Sequence, residues 1–340
     1  MSRTSVTIAG LLLAALAALV AAMSIGSTII PAGNCFQYLF TGDAGVPEYN
    51  TLLHEFRMPR IVTAVLAGLA MALAGLLMQA IFANPLAEPY ILGVSAGASF
   101  GVAVVTLGAG GAFLTVADNH QSTVTVAAAL GAAAVMGVVV ILSQWITSSS
   151  WLLITGVMIG SVVSSVVSFM LAYASPGDIR EFVMWGLGSF SGVLWEDLQV
   201  LAPVVAAGAI GTIAMIPALN ALLLGESYAR TMGIRMNLTR VGAVVATALL
   251  AGSVTAYCGP IAFIGIAAPH VARIALGKAD HRVVLPVAAL VGIVIALICA
   301  ALTTTPGRDG VLPINVLTAF FGAPIVVLVL VRSLRSGGAR

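Results

Sequence analysis

Charge is the scarcest feature of this 340-residue chain: 8% of its residues are Asp, Glu, Lys or Arg, against 60% that are hydrophobic. A soluble domain carries about 25% charged residues, and so few could not cover this much apolar surface. The deficit excludes a soluble globular fold. Lysine is reduced to Lys278, in "ALGKAD". Ala279 follows it where a P-loop needs Ser or Thr, and Ala272 stands where the first Gly would be, so the chain does not hydrolyse ATP by itself. "LHEFR" at 53–57 starts like a zinc-hydrolase motif, but Met58 occupies the fourth position after His54. Cys35, Cys258 and Cys299 are widely separated, form no CxxC pair, and read as packing residues.

What is present is a series of near-continuous runs of Ala, Val, Leu and Gly. A barrel would instead show alternating segments of about ten residues. The runs predict an all-α polytopic membrane protein with ten spans near 7–29, 61–82, 91–113, 123–146, 152–174, 199–222, 240–257, 260–276, 283–303 and 314–332, within one membrane domain covering 1–340. The first run follows a single charge, Arg3, and reads as a true span, not a cleaved signal. The eighth begins at Gly259-Pro260 and reads as a broken or re-entrant helix. The stretch 175–198 reads as carrying a short interfacial helix.

With both termini cytoplasmic, ten of the fourteen basic residues fall inside and nine of the twelve acidic residues outside. Arg57, Arg60, Arg180 and Arg308 run against this bias. The spans hold almost no ionisable residue; Glu88 and His270 come nearest, at span ends. An ion-coupled carrier keeps such groups at membrane depth. Their scarcity favours a wide pathway lined by Ser, Thr, Asn, Met and Gly and opened by an external energy source. An intramembrane hydrolase would need a nucleophile–base or metal pair, and none is evident.

Between the second and third runs stands "NPLAEP", residues 84–89. Its prolines break the helix and Asn84 can cap a helix end, so the plain reading is a capped turn. "GVSAGASFG" follows, with small residues spaced for close helix packing in lipid. "LAGLAMALAG" (66–75) and "VVATALLAGS" (244–253) are faintly alike, and each precedes a proline-containing break five spans apart, as in an inverted repeat.

The block "RMPRIVTAVLAGLAMALAGLLMQAIFANPLAEPYILGVSAGASFG" resembles the permease family of ABC importers for ferric siderophores, haem and vitamin B12. So do "CGPIAFIGIAAPHVARIALGKADHRVVLP", "LLLGESYARTMGI" and "LPINVLTAFFGAPIVVLVLVR", in order along nearly the whole chain. The resemblance implies an inverted-repeat type II ABC importer permease in a bacterial cytoplasmic membrane. It implies pairing with a second copy or close homologue, two cytoplasmic ATPase subunits that bind ATP and Mg, and an external binding protein. Nothing in that mechanism asks for a metal or cofactor on this chain, or for nucleic acid. The cargo it suggests first is a ferric siderophore, with haem and vitamin B12 as alternatives.

The resemblance also assigns roles. The cytoplasmic loop 223–239 would couple to the ATPase through Gly225, Glu226, Ala229, Arg230, Gly233 and Arg235, with Glu226, Arg230 and Arg235 supplying docking charge and Gly233 the turn between short helices. The plain alternative is a solvated basic loop. Arg57 and Arg60, with Arg308 as a possible third, would grip carboxylates of the binding protein; the alternative for the first two is pairing with Glu55 or lipid. Asn84, Leu86, Ser149 and Ser150 would form a cytoplasmic gate. Gly156, Gly160, Ser161 and Ser164 would line the pathway, or serve ordinary helix packing. His270 falls in the family's Pro-His pair whatever the cargo, which favours a structural role. The chain departs from the family pattern at Ala300, Thr304, Val311 and Asn315, where Asp, Arg, Glu and Gly are common.

Overall fold

A computed structural model describes residues 3–108, 120–146, 148–304 and 312–337. Its helices are α1 (Arg3–Ser24), α2 (Ala32–Thr41), α3 (Pro47–Ile81), α4 (Val94–Thr106), α5 (His120–Ser143), α6 (Ser149–Ala172), α7 (Pro176–Gly186), α8 (Trp195–Ala214), α9 (Ile216–Leu222), α10 (Glu226–Thr231), α11 (Met236–Cys258), α12 (Ile264–Leu276), α13 (His281–Leu302) and α14 (Ile314–Gly337). Among the described residues, seven are long and apolar enough to cross a membrane: α1, α3, α5, α6, α8, α11 and α13. Three shorter apolar helices, in α4, α12 and α14, complete the ten apolar segments.

Several boundaries differ from the sequence expectation. Span two does not start at 61: α3 is helical from Pro47 and passes through a π turn at Leu52–Arg57. Span three, expected over 91–113, is a 3₁₀ turn at Pro89–Leu92 and then the 13-residue α4. Pro89 and the left-handed Gly93 (φ 84°) prevent one continuous helix. Span six stops at Ala214, and α9 restarts with Pro217 in its first turn. The eighth run is short as expected: α12 has 13 residues, about 20 Å at 1.5 Å per residue, against roughly 30 Å of hydrocarbon. The short helix expected within 175–198 is present as α7, opened by Ser175, whose Oγ accepts from the Asp178 amide (3.3 Å), with Pro176 next.

The repeat suspected from sequence has a local counterpart. Both α3 and α11 contain a π turn, and each is followed by a proline break, a left-handed residue and a 13-residue helix. That residue is Gly93 before α4 and Phe263 (φ 69°) before α12. Asn315, one of the departures from the family pattern, supports the second break: its Oδ1 accepts from the Ala262 amide at 3.1 Å.

Contacts group the chain into two compact units, residues 1–72 with 189–200 and 261–340, and residues 73–188 with 201–260. In the first, α3 crosses α13 at Gly68 and Gly292, where a Cβ on either would overlap the other's carbonyl. Arg3 donates from Nε to the Ala275 carbonyl (2.8 Å) and from Nη2 to that of Ile274 (3.1 Å), closing the end of α12. In the second, α4 lies against α5 through Gly97, Gly101 and Gly131. This GxxxG spacing lets backbones approach, and dispersion contact replaces the hydrophobic drive that lipid removes.

Candidate functional site

The second unit contains a cleft of about 610 Å³ between α4 and α6. All four residues expected to line a pathway, Gly156, Gly160, Ser161 and Ser164, lie on its wall, with Ser95 and Ser99 of α4 opposite and Tyr90 beside them. The two glycines do different work. A Cβ at Gly156 would sit 3.0 Å from Leu92 Cα and 3.2 Å from the Ile91 carbonyl oxygen, so this glycine serves close packing. A Cβ at Gly160 would find its nearest neighbour at 3.5 Å, an ordinary contact, so packing leaves room there for a side chain.

Along α6 the serines satisfy their hydroxyls locally: Ser161 donates to the Val157 carbonyl, Ser165 to that of Ser161 and Ser168 to that of Ser164, all at 2.9 Å. Their oxygens remain as acceptors, and the cleft's residues carry no formal charge at neutral pH. Next to this stripe α6 exposes Ile154, Met158, Val162, Val166 and Phe169, three to four residues apart on one face. At the cleft wall Tyr90 Oη lies 3.3 Å from Thr255 Oγ1 of α11, and Thr255 donates to the Ala251 carbonyl at 2.6 Å.

The predicted gate residues fall at two turns. Asn84 Oδ1 accepts from the Leu86 amide (2.9 Å), and the Asn84 amide donates to the Gln79 carbonyl (3.2 Å). The side chain thus ties down the turn that Ala83 enters at φ 45°. Leu86 is half-buried. Ser149 and Ser150 form the first turn of α6, with Ser150 exposed.

The loop 223–239 folds as α10 between two left-handed glycines, Gly225 (φ 98°) and Gly233 (φ 84°), and α11 begins at Met236. Ala229 is buried with Ala221 and Met236, and Leu222 and Ile234 pack beside them. Arg235 is exposed just before α11. The charges are arranged differently from expectation. Glu226 Oε1 accepts from Arg230 Nη2 and from Arg240 Nη2, both at 2.7 Å. Burial acts to raise the Glu226 carboxyl, but the Arg230 hydrogen bond and the Arg240 charge outweigh it and hold the group below its ordinary range. Arg240, one of the ten basic residues counted on the inside and the first residue of the expected seventh span, is fully buried because α11 starts four residues earlier. Its Nε and Nη1 have no hydrogen-bond partner among the described residues. The Glu226 and Arg230 side chains are therefore engaged with each other, and beside the exposed Ser227, Arg230, Thr231 and Arg235, α10 and its flanks expose the apolar Leu223, Leu224, Tyr228 and Met232. Sequence reasoning weighed the charges and glycines of this loop and gave these side chains no role, although its large apolar residues were visible.

The outer arginines correct the docking expectation. Arg57 and Arg60 do not present free forks at a surface; both are buried. Arg57 donates from Nη1 to the Met23 carbonyl and from Nη2 to that of Thr28. Arg60 Nη2 donates to the Ala300 carbonyl and lies 3.4 Å from Thr304 Oγ1. The extra helical turns of α3 carry both side chains inward, where they satisfy carbonyls at the ends of α1 and α13. Arg308 lies outside the described residues. His270 is buried within α12 and is engaged with its surroundings.

The described residues thus hold ten apolar helical segments, two proline-containing breaks and a short helix between glycines just before α11. The model of the FecCD transport family matches residues 12–332. The chain belongs to that family. It is 35% identical over 324 residues to the uncharacterized ABC transporter permease protein YvrB of Bacillus subtilis, covering 93% of this chain and 90% of that one. It is 34% identical over 303 residues to the vitamin B12 import system permease protein BtuC of Salmonella typhi, covering 88% and 89%. A solved structure described as an inward-facing ABC transporter of metal-chelate type superposes with a TM-score of 0.83 at 25% identity, covering 96% of this chain and 99% of that one. The fold class read from sequence stands: this FecCD member is an integral membrane permease of an ABC importer.

Proposed function

We propose that this permease carries a bulky metal chelate, with a ferric siderophore as the first candidate, through the α4–α6 cleft in a complex driven by separate ATPase subunits. The observation that carries the proposal is the cleft itself: about 610 Å³, uncharged, and walled by serines, glycines and one tyrosine together with Ile91, Ala96 and Val157. Such a wall offers hydrogen-bond acceptors and no ion pair, so it lets a large polar surface pass without a deep electrostatic well. The bare apolar stripe of α6 beside it would be covered by a second copy of the chain or a close homologue, with the pathway lined by spans five and ten on their shared axis. The Asn84 and Ser149–Ser150 turns would close the inner end.

The short helix α10 is the docking element for the ATPase, through Leu224, Tyr228 and Met232 as anchors rather than through Glu226 and Arg230. Orientation with both termini cytoplasmic is supported within the first unit. Arg3 sits at one end of α1, against the end of α12 where Lys278 and Arg282 follow, while the carboxylates Asp43, Glu48 and Glu55 lie in the segments after the other end of α1. An external binding protein would deliver the cargo at that acidic end.

Vitamin B12 is the second reading, favoured by the 34% identity to a permease named for that import. Binding of a ferric hydroxamate, haem and cyanocobalamin to the partner binding protein, followed by uptake into proteoliposomes, separates the three. Uptake against a gradient with the ATPase omitted, driven by protons or sodium, would sink the ATP-driven reading.

A further inference from the structure

We propose that Arg240 is a positioning residue: it locks α10 to α11, so that a displacement of α10 is carried along α11 to the Tyr90 wall of the cleft. The inference rests on the reading that α10 docks on an ATPase.

The six-residue α10 is too short to hold its own shape in water, because a helix of this length scarcely outlasts its nucleus. Two things fix it. One is the small cluster of Ala221, Ala229 and Met236, which is apolar and non-directional. The other is the charge-assisted bond from Arg240 to Glu226, which sets both distance and angle. Glu226 is the first residue of α10 and Arg240 lies in the second turn of α11, so the bond spans the Gly233 turn and removes its freedom. A fully buried guanidinium with one carboxylate partner and two nitrogens without a hydrogen bond is costly in an apolar setting, and it cannot leave that carboxylate without becoming a bare buried charge. The two elements must therefore move together.

From Arg240 the helix runs without a break to Cys258. Thr255 lies fifteen residues further on, about 22 Å at 1.5 Å per residue. The π turn at Ala248–Gly252 interrupts the regular ladder, and two hydroxyls bond back across it: Ser253 donates to the Leu249 carbonyl (2.5 Å) and Thr255 to that of Ala251 (2.6 Å). Thr255 then meets Tyr90 at 3.3 Å, and Tyr90 lines the cleft. Every link lies within one compact unit.

The test uses the complete complex with its ATPase in nanodiscs and two single-cysteine reporters, Thr231→Cys on α10 and Ser95→Cys in the cleft. The three native cysteines are buried and react slowly by comparison. Labelling by a water-soluble maleimide is timed before and after trapping with ADP and vanadate. Both reporters are expected to change rate on trapping, by about fivefold or more, the lower end of ordinary coupling between sites. In Arg240→Met the α10 reporter should still respond and the cleft reporter should lose its response. Arg240→Lys should restore part of it, because the charge returns without the fork. Thr255→Val breaks the far end of the same chain of contacts and should silence the cleft reporter with α10 untouched, so the proposal stays testable even if the Arg240 variants assemble poorly. A cleft reporter that responds fully in both Arg240→Met and Thr255→Val overturns the inference alone. An α10 reporter that never responds in the parent complex overturns the docking reading and the inference with it.

Discussion

Removing the carboxylate of the Glu226–Arg240 pair should destabilise the permease far more than removing the cation. Arg240 is fully buried and donates to one oxygen of Glu226 at 2.7 Å. Glu226→Ala leaves a guanidinium enclosed without a carboxylate, and breaking a fully buried pair this way costs about 3–5 kcal/mol. The Glu226 side chain is 33% exposed, so water screens part of the attraction, and about 2–3 kcal/mol is the reasonable figure here. Arg240→Met removes the buried charge together with its unpartnered Nε and Nη1, keeps the volume apolar, and leaves Glu226 in contact with Arg230 and solvent. That change should cost about 1 kcal/mol or less. The remaining Arg230–Glu226 pair, one helical turn apart, contributes only about 0.3–0.5 kcal/mol. Reversible denaturant unfolding of the purified permease in mixed micelles measures both variants and the double variant. The double variant should resemble Arg240→Met, because with the cation gone the carboxylate has little left to hold. Equal costs for the two single changes, or a larger cost for Arg240→Met, would refute the claim that the buried cation depends on Glu226.

Gly101→Ala should destabilise by about 1–3 kcal/mol in the same assay, because its Cβ would overlap the Ala127 carbonyl, whereas Gly137→Ala, with nothing within 4 Å, should be neutral or slightly stabilising. Gly160→Leu should leave stability near parental but slow uptake severely by filling the cleft, while Gly156→Ala should lower stability first; the reverse ranking would return the cleft to mere packing. Glu226 has its folded-state pKa depressed below 4.5, so its stabilising contribution is fully present above that value and is lost as pH falls through the folded pKa. The stability gap between the parent and Glu226→Gln should accordingly be flat from about pH 7 to about pH 5 and close only at lower pH.

Much of the chain's organisation was readable one residue at a time. Alanine- and valine-rich runs with almost no charge have one stable state in lipid, and their spacing located the ten apolar segments. The breaks were legible too: Pro85, Pro89 and Pro260 cannot continue a helix through their own amides, and α4 and α12 are short where those prolines stand. The four pathway residues of α6 came from the family resemblance together with their small size, and the cleft wall includes all four. Other readings failed because helix ends were misplaced. Starting α3 at 61 left Arg57 and Arg60 outside the helix, and starting α11 at 240 put Arg240 at its edge; a shift of four or more residues turns such a side chain from solvent to core.

The sequence by itself thus determined that this polypeptide must live in lipid as helices, where those helices break, and which family it belongs to, because each follows from local hydropathy, backbone chemistry and motif order. Only the tertiary structure decided what the charges do. Whether an arginine greets a partner or ties down a carbonyl, and whether a glutamate docks or clamps, depends on groups far apart in the chain: Arg60 with Ala300, Glu226 with Arg240. In a low-dielectric interior the nearest counter-group sets the role of an ion, and that neighbour is chosen by packing, which no single stretch of sequence encodes.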